Sequence, residues 1–146
     1  MKGLLSMTDE RAVAALPWLA YALGDLAAAR TDPRRPLRPR IVAFHAQQAA
    51  EKALKAALIL TGARPEWTHD LDGLRNSLPP GWRVKVRLQD LARLSDYGVD
   101  VRYPDHAMTV TPIQAATAVR QAIAVVRAVR EDFERRGVST TGLEPR

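Results

Sequence analysis

The chain has 146 residues, of which 47% are hydrophobic and 26% charged, with no cysteine and a net charge of +6. That length fits one domain burying roughly 68–70% of its unfolded surface. The lack of cysteine excludes a disulfide framework and a thiolate metal site, and no apolar run reads as long enough to span a bilayer. The opening stretch, MKGLLSMTDE, does not read as a signal peptide, so a cytoplasmic protein without a membrane partner is expected. The charge favours a polyanion or an acidic protein through long-range attraction. Arginine- and alanine-rich coding of a GC-rich genome gives the same surplus with no binding role.

In chain order, the first helix is expected over 9–30, capped by Thr8, with Asp9 and Glu10 in its first turn where carboxylates suit the helix dipole. Val13, Leu16, Ala20, Leu23 and Ala27 follow helical spacing as its buried stripe. Pro17 should kink this helix or delay its start, since proline removes one backbone hydrogen bond. RTDPRRPLRPR (30–40) holds three prolines and five arginines. It reads as a stiff basic connection that either grips phosphates or is simply solvated.

A second helix is expected over 40–61, stopped by Gly62, with Val42, Ala46, Ala49, Ala53, Ala57 and Leu60 on one face. So many alanines let another helix approach closely. Glu51 and Lys55 stand at i, i+4 in the favourable order, worth about 0.2–0.5 kcal/mol on an exposed helix. His45, Gln48 and Lys52 make a polar line beside Phe44 and Ile59. That line marks either a face meeting something other than water or an exposed edge. Thr68 is expected to cap a short helix over 69–77, and RVKVRLQDLARLSDYG suggests a longer one over 84–96. Thr111 and Gln114 have capping-box spacing with Pro112 at the first helical position. The last helix should run to 135 with Ala115, Val119, Ala122, Val126, Val129 and Phe133 inward, leaving a frayed tail at 137–146. The expected fold is all-α, an up-and-down bundle of four long helices and one short one over 8–136.

FHAQQAAEKALKAALILTG (44–62), THDL (68–71), Tyr97 and RYPD (102–105), followed by a long final helix, resemble the HEPN (higher eukaryotes and prokaryotes nucleotide-binding) domain family. WLAYALGDLAAA (18–29) is similar to its first helix. The resemblance implies a helical bundle that dimerises and is often encoded beside a minimal nucleotidyltransferase as its toxin-like partner. It also implies RNA or a nucleotide as ligand, and in many relatives metal-independent ribonuclease activity. In those relatives an arginine precedes a histidine by four to six intervening residues, at a dimer cleft.

Here Arg102 and His106 are the corresponding pair, with three residues between them, so they depart from that spacing. Chemically they suit RNA cleavage: a histidine shuttles the proton of the 2′-hydroxyl, and the arginine fork takes up phosphate charge. Pro104 biases Tyr103 toward extended backbone, so a shared helical face for Arg102 and His106 does not follow. DVRYPDH therefore reads three ways. It is a cleaving pair, an anion anchor through Arg102 with Tyr103 and Asp105 as positioning residues, or a loop shaped by Tyr103, Pro104 and Asp105. Gln48, Glu51 and Lys52 match the family's polar strip, and Gln48 and Lys52 are expected beside the ligand. His45 reads as a hydrogen-bonded, semi-buried residue, and His69 with Asp70 as a helix start. The histidines lack metal-ligand spacing and no Gly-rich phosphate loop occurs, so neither a metal nor a cofactor is expected. The alternative from another class is a non-catalytic module that dimerises and holds a nucleotidyltransferase through its alanine-rich helix.

Overall fold

The computed structural model describes residues 6–30, 34, 37–88, 90–99 and 109–146. Among them the elements are α1 (Met7–Ala29), α2 (Pro39–Leu60), α3 (Leu71–Asn76), α4 (Arg83–Arg87), α5 (Ala92–Asp96) and α6 (Pro112–Arg135), with no strand. The all-α class stands. The fourth long helix does not: the expected 84–96 helix is two short ones, giving three long and three short.

α1 and α2 run antiparallel. Asp25 meets His45 and Lys52, Lys55 lies over the Trp18 ring, and Arg11 sits against Gly62, so numbers fall along one helix as they rise along the other. Ala43, Ala46, Ala50, Ala53 and Ala57 of α2 are fully buried, as their lack of side-chain bulk allows between packed backbones. α2 ends as anticipated at Gly62, whose φ of +89° suits glycine. The Gly62 N–H donates to the Ile59 carbonyl and the Ala63 N–H to the Leu58 carbonyl, which satisfies two otherwise orphaned acceptors.

The α1 expectations need three corrections. Ser6, not Thr8, caps the helix: its hydroxyl accepts from the Asp9 N–H while the Asp9 carboxylate accepts from the Ser6 N–H. The helix does not start a turn later: it begins at Met7 and includes Pro17. Proline is tolerated there because it lies on an exposed row with Val13 and Tyr21. The buried face is Ala15, Leu19, Ala20, Ala22, Leu26 and Ala29; of the expected stripe Ala20 is buried, Leu16 and Leu23 pack partly buried against the core, and Val13, 65% exposed, and Ala27 face outward. Apolar residues occur almost all round this helix, so the period alone could not select a face, and the pairing of Asp25 with α2 does. By length and composition α1 is also long and apolar enough to cross a membrane, contrary to the sequence reading. Of that apolar window 33% is buried inside the bundle.

Asp70, not Thr68, caps α3 through the Gly73 N–H. The break between α4 and α5 is held by distant side chains. Asp72 accepts from the Leu91 N–H and Arg75 donates to the Leu88 carbonyl, while the fully buried Asp132 carboxylate accepts the Arg83 and Val84 N–H groups at the α4 start. α6 begins with the expected Thr111–Gln114 capping box and buries the expected stripe, with Val119 only half-buried. Residues 137–146 do not fray outward. Val138 and Thr140 are buried, Glu134 accepts from the Thr140 N–H and hydroxyl, and the Arg146 N–H donates to the Ala20 carbonyl. The basic connection 30–40 falls partly outside the described residues.

Candidate functional site

Successive turns of α2 place Gln47, Gln48, Glu51, Lys52 and Lys55 along its flank. Gln47 is fully buried, and Glu51 and Lys55 are each 5% exposed. Such burial is tolerable only if every polar atom finds a partner. Gln48 Nε2 donates to Gln47 Oε1 at 2.7 Å, and Gln47 Nε2 donates to Glu51 Oε1 at 3.0 Å. Lys55 Nζ donates to Glu51 Oε2 at 3.1 Å, and His69 Nδ1 lies 2.6 Å from Glu51 Oε1. Three groups thus converge on one carboxylate. Burial pushes the Glu51 carboxyl up, but the hydrogen bonds from Gln47 and His69, and Lys55 beside it, outweigh that and hold it below its ordinary range. An anionic Glu51 can only accept, so His69 carries a proton on Nδ1. In the neutral ring Nε2 is then the basic nitrogen.

His69 stands in an open groove of about 630 Å³, formed by residues 67–70 on one side and Ala92, Ser95, Asp96 and Val99 on the other. The lead-in to α3 supplies the first wall, fixed by the Asp70 cap and by Ser95, whose hydroxyl accepts from the Leu71 N–H. The α5 end supplies the second wall. Gly98 packs so tightly on Gln47 that a Cβ there would fall 2.5 Å from its amide carbon. Trp67 is wholly exposed, with Lys55 Nζ 5.8 Å from its ring centre. The groove therefore offers an indole face, an imidazole oriented by a buried carboxylate, and the Asp70 and Asp96 carboxyl groups at its rim.

The sequence-expected site is divided. Arg102, Tyr103, Asp105 and His106 lie outside the described residues, beyond Val99 in the chain. Gln48 joins the Glu51 network. Lys52 does not: it pairs with Asp25, as does His45 Nδ1 at 3.0 Å. The polar line on α2 thus meets a carboxylate of α1, and Gln48 and Lys52 serve separate clusters. His45 is half-buried and hydrogen-bonded, as read from the sequence. His69, read as part of a helix start, instead faces Glu51, and Trp67 was missed. The signal that could have found the network is the i, i+4, i+8 row Gln47, Glu51, Lys55 within an alanine-rich face. No group of three metal-ligating side chains occurs among the described residues.

Comparison with known proteins gives the same architecture. No curated protein matches the chain significantly. Among solved structures it is similar to TT1696 from Thermus thermophilus, with 28% identity, 87% of this chain and 98% of that one covered, and a TM-score of 0.57. The HEPN domain model matches residues 15–132, most of the chain, a span that runs from within α1 to within α6. The chain belongs to the HEPN domain family.

Proposed function

We propose that this HEPN protein binds RNA or a nucleotide phosphate in the groove between residues 67–70 and the α5 end, with Arg102 supplying an anion contact. The observation that carries the reading is the exposed Trp67 indole two residues from His69, whose ring is held by the buried Glu51 carboxylate. An indole face stacks any base, with a worth of about 1–3 kcal/mol per base. An imidazole with a proton fixed on one nitrogen offers the other to a hydroxyl or phosphate. If cleavage accompanies binding, a histidine, His69 or His106, takes the 2′-hydroxyl proton. The 2′-oxygen forms its bond to phosphorus as the bond to the 5′-oxygen breaks, and that oxygen receives a proton. Arg102 would take up the phosphate charge. The setting we propose is cytoplasmic, as the toxin-like component paired with a minimal nucleotidyltransferase.

A second reading is favoured by the exposed apolar row on α1. Val13 and Tyr21 are 65% and 51% exposed, with Pro17 and Trp18 between them and Lys52 beside them. That row suits a homodimer or partner contact without chemistry, since aromatic residues are enriched at interface cores.

The test is binding and cleavage of labelled RNA by the purified protein with EDTA present. Wild type is compared with Trp67→Ala, His69→Gln, Arg102→Ala and His106→Ala, each checked for native helicity. Loss of binding in Trp67→Ala and Arg102→Ala supports the groove, and loss of cleavage alone in one histidine variant identifies the proton shuttle. Saturable binding that none of the four changes would overturn the reading.

A further inference from the structure

A second groove, of about 430 Å³, lies between the C-terminal half of α1 and the middle of α6. We infer that it docks an acidic peptide segment of a partner protein, seating a large apolar side chain of that segment between carboxylates that meet Arg30, Arg127 and Arg130. The inference is independent of the groove at Trp67.

The floor is aliphatic: Leu23 and Leu26 come from α1, and Ile123 and Val126 from α6. Leu26 and Val126 are core residues, while Leu23 and Ile123 are partly buried and reach the groove. Above this floor stand three guanidinium groups with different commitments. Arg130 is held in place by Thr140, donating from Nε to the hydroxyl and from one terminal nitrogen to the carbonyl, both at 3.1 Å. Three of its five N–H donors stay uncommitted. The Arg30 and Arg127 side chains make no ion pair or hydrogen bond among the described residues.

Of the two carboxylates on the rim, Glu131 is engaged by Arg87 at 2.9 Å and Arg83 at 3.7 Å. Glu134 accepts from the N–H and hydroxyl of Thr140, neutral donors that leave its charge in place, and it offsets Arg130 in part. The groove therefore keeps a cationic surplus beside an apolar floor, with one cation already oriented. Carboxylates match the guanidinium fork in bidentate geometry, and a desolvated apolar anchor beside such pairs is the usual make-up of a tight contact.

An RNA strand fits less well here. The described lining holds no aromatic ring for base stacking, and Glu134, which keeps its charge, would repel a continuous phosphate chain. A peptide can space its charges to avoid it. The partner chemistry is thus an acidic segment, extended or helical, in which leucine, isoleucine or phenylalanine stands between aspartates or glutamates.

The experiment uses fluorescence anisotropy of a short labelled peptide with two leucines among aspartates and glutamates. It is titrated with the full chain as wild type, as Arg127→Glu and as the milder double variant Arg30→Gln/Arg127→Gln, with thermal unfolding as the fold control. The expected result is saturable binding, weakened about tenfold or more in both variants at an unchanged unfolding midpoint, and weakened in wild type by salt. A peptide with lysines in place of the acids should not bind. Binding that persists unchanged in the folded double variant overturns the inference, as does no saturable binding to wild type. Displacement of the peptide by oligouridylate, with direct oligouridylate binding lost in the same variants, overturns it too, in favour of a nucleic-acid contact.

Discussion

Replacing Glu51 by glutamine removes one charge where the surroundings cannot adapt. In the native chain the donors Gln47 Nε2, His69 Nδ1 and Lys55 Nζ share two carboxylate oxygens. An amide offers one acceptor oxygen and turns an N–H₂ group toward the others, so at least one donor must face a donor. Lys55, 5% exposed, also loses its counter-charge. Breaking a buried pair from one side costs about 3–5 kcal/mol. Lys55 retains the Trp18 and Trp67 rings at 5.9 and 5.8 Å, which places the expected loss at the lower end, about 3 kcal/mol. For a chain of this size that is a fall of roughly 6–12 °C in Tm, read by circular dichroism at pH 7. Lys55→Met and the double variant complete the cycle. The double variant should recover part of either single loss, with a coupling of about 1–3 kcal/mol. The pH dependence follows from the lowered Glu51 carboxyl. Its stabilisation is complete above the ordinary value of 4.5 and is lost as pH falls through the lower folded value, so Glu51→Gln should lack that part of the acid slope. A Tm change no larger than a surface substitution gives, about 0.5 kcal/mol in equivalent stability, would refute the reasoning. So would strictly additive single effects.

Two other outcomes are expected. Gly98→Ala forces a Cβ against the fully buried Gln47 amide, 2.5 Å from its carbon, and should cost about 1–3 kcal/mol in urea unfolding. An unchanged midpoint would mean that the α5 end is not seated on the network. The Glu134 carboxyl is held below its ordinary range, chiefly by the Thr140 N–H and then by its hydroxyl. The tail should therefore stay docked above pH 4.5 and loosen as pH falls through the lower folded value, with amide exchange at Thr140 accelerating. Glu134→Gln should show faster exchange already at pH 7.

Elements fixed by neighbours in sequence were legible. The α6 start needs only Thr111, Pro112 and Gln114, and the α2 end needs only Gly62. The Ser6–Asp9 box is equally local, yet Thr8 in the same stretch has the same capping chemistry, and only the reciprocal Asp9 bond separates them. The α4–α5 break was not legible for a different reason. Its backbone groups are satisfied by Asp72 and Arg75, 19 and 13 positions away, so the helical period of 84–96 says nothing of it. The site divides in the same way. Gln48 lies on a recognisable polar strip, but the role of His69 depends on a contact 18 residues away with Glu51. On an exposed helix the Glu51–Lys55 spacing would contribute only a few tenths of a kcal/mol, and its weight here comes from burial.

Charge shows why composition alone could not place a binding surface. The chain carries 22 lysines and arginines against 16 acids. Many of those cations are committed to the fold. Lys52 answers Asp25, Lys55 answers Glu51, Arg75 answers Asp72, Arg83 and Arg87 answer Glu131, and Arg135 and Arg136 answer Asp132. The surplus is therefore not spread evenly over the surface. Where a carboxylate is already engaged by other cations, as Glu131 is by Arg83 and Arg87, it cannot fully cancel the arginines on its other side. Basic character then becomes a property of particular places, and the α1–α6 groove is one of them because Arg30, Arg127 and Arg130 outnumber its two acids and Glu131 is shared with Arg83 and Arg87. The groove at Trp67 is different in kind: its rim carries Asp70 and Asp96, and its one buried anion, Glu51, is turned inward to Lys55 and His69. A phosphate there needs a cation that the groove walls do not supply, which is the role proposed for Arg102. For that reason Arg102→Ala is the variant on which the nucleotide reading most depends.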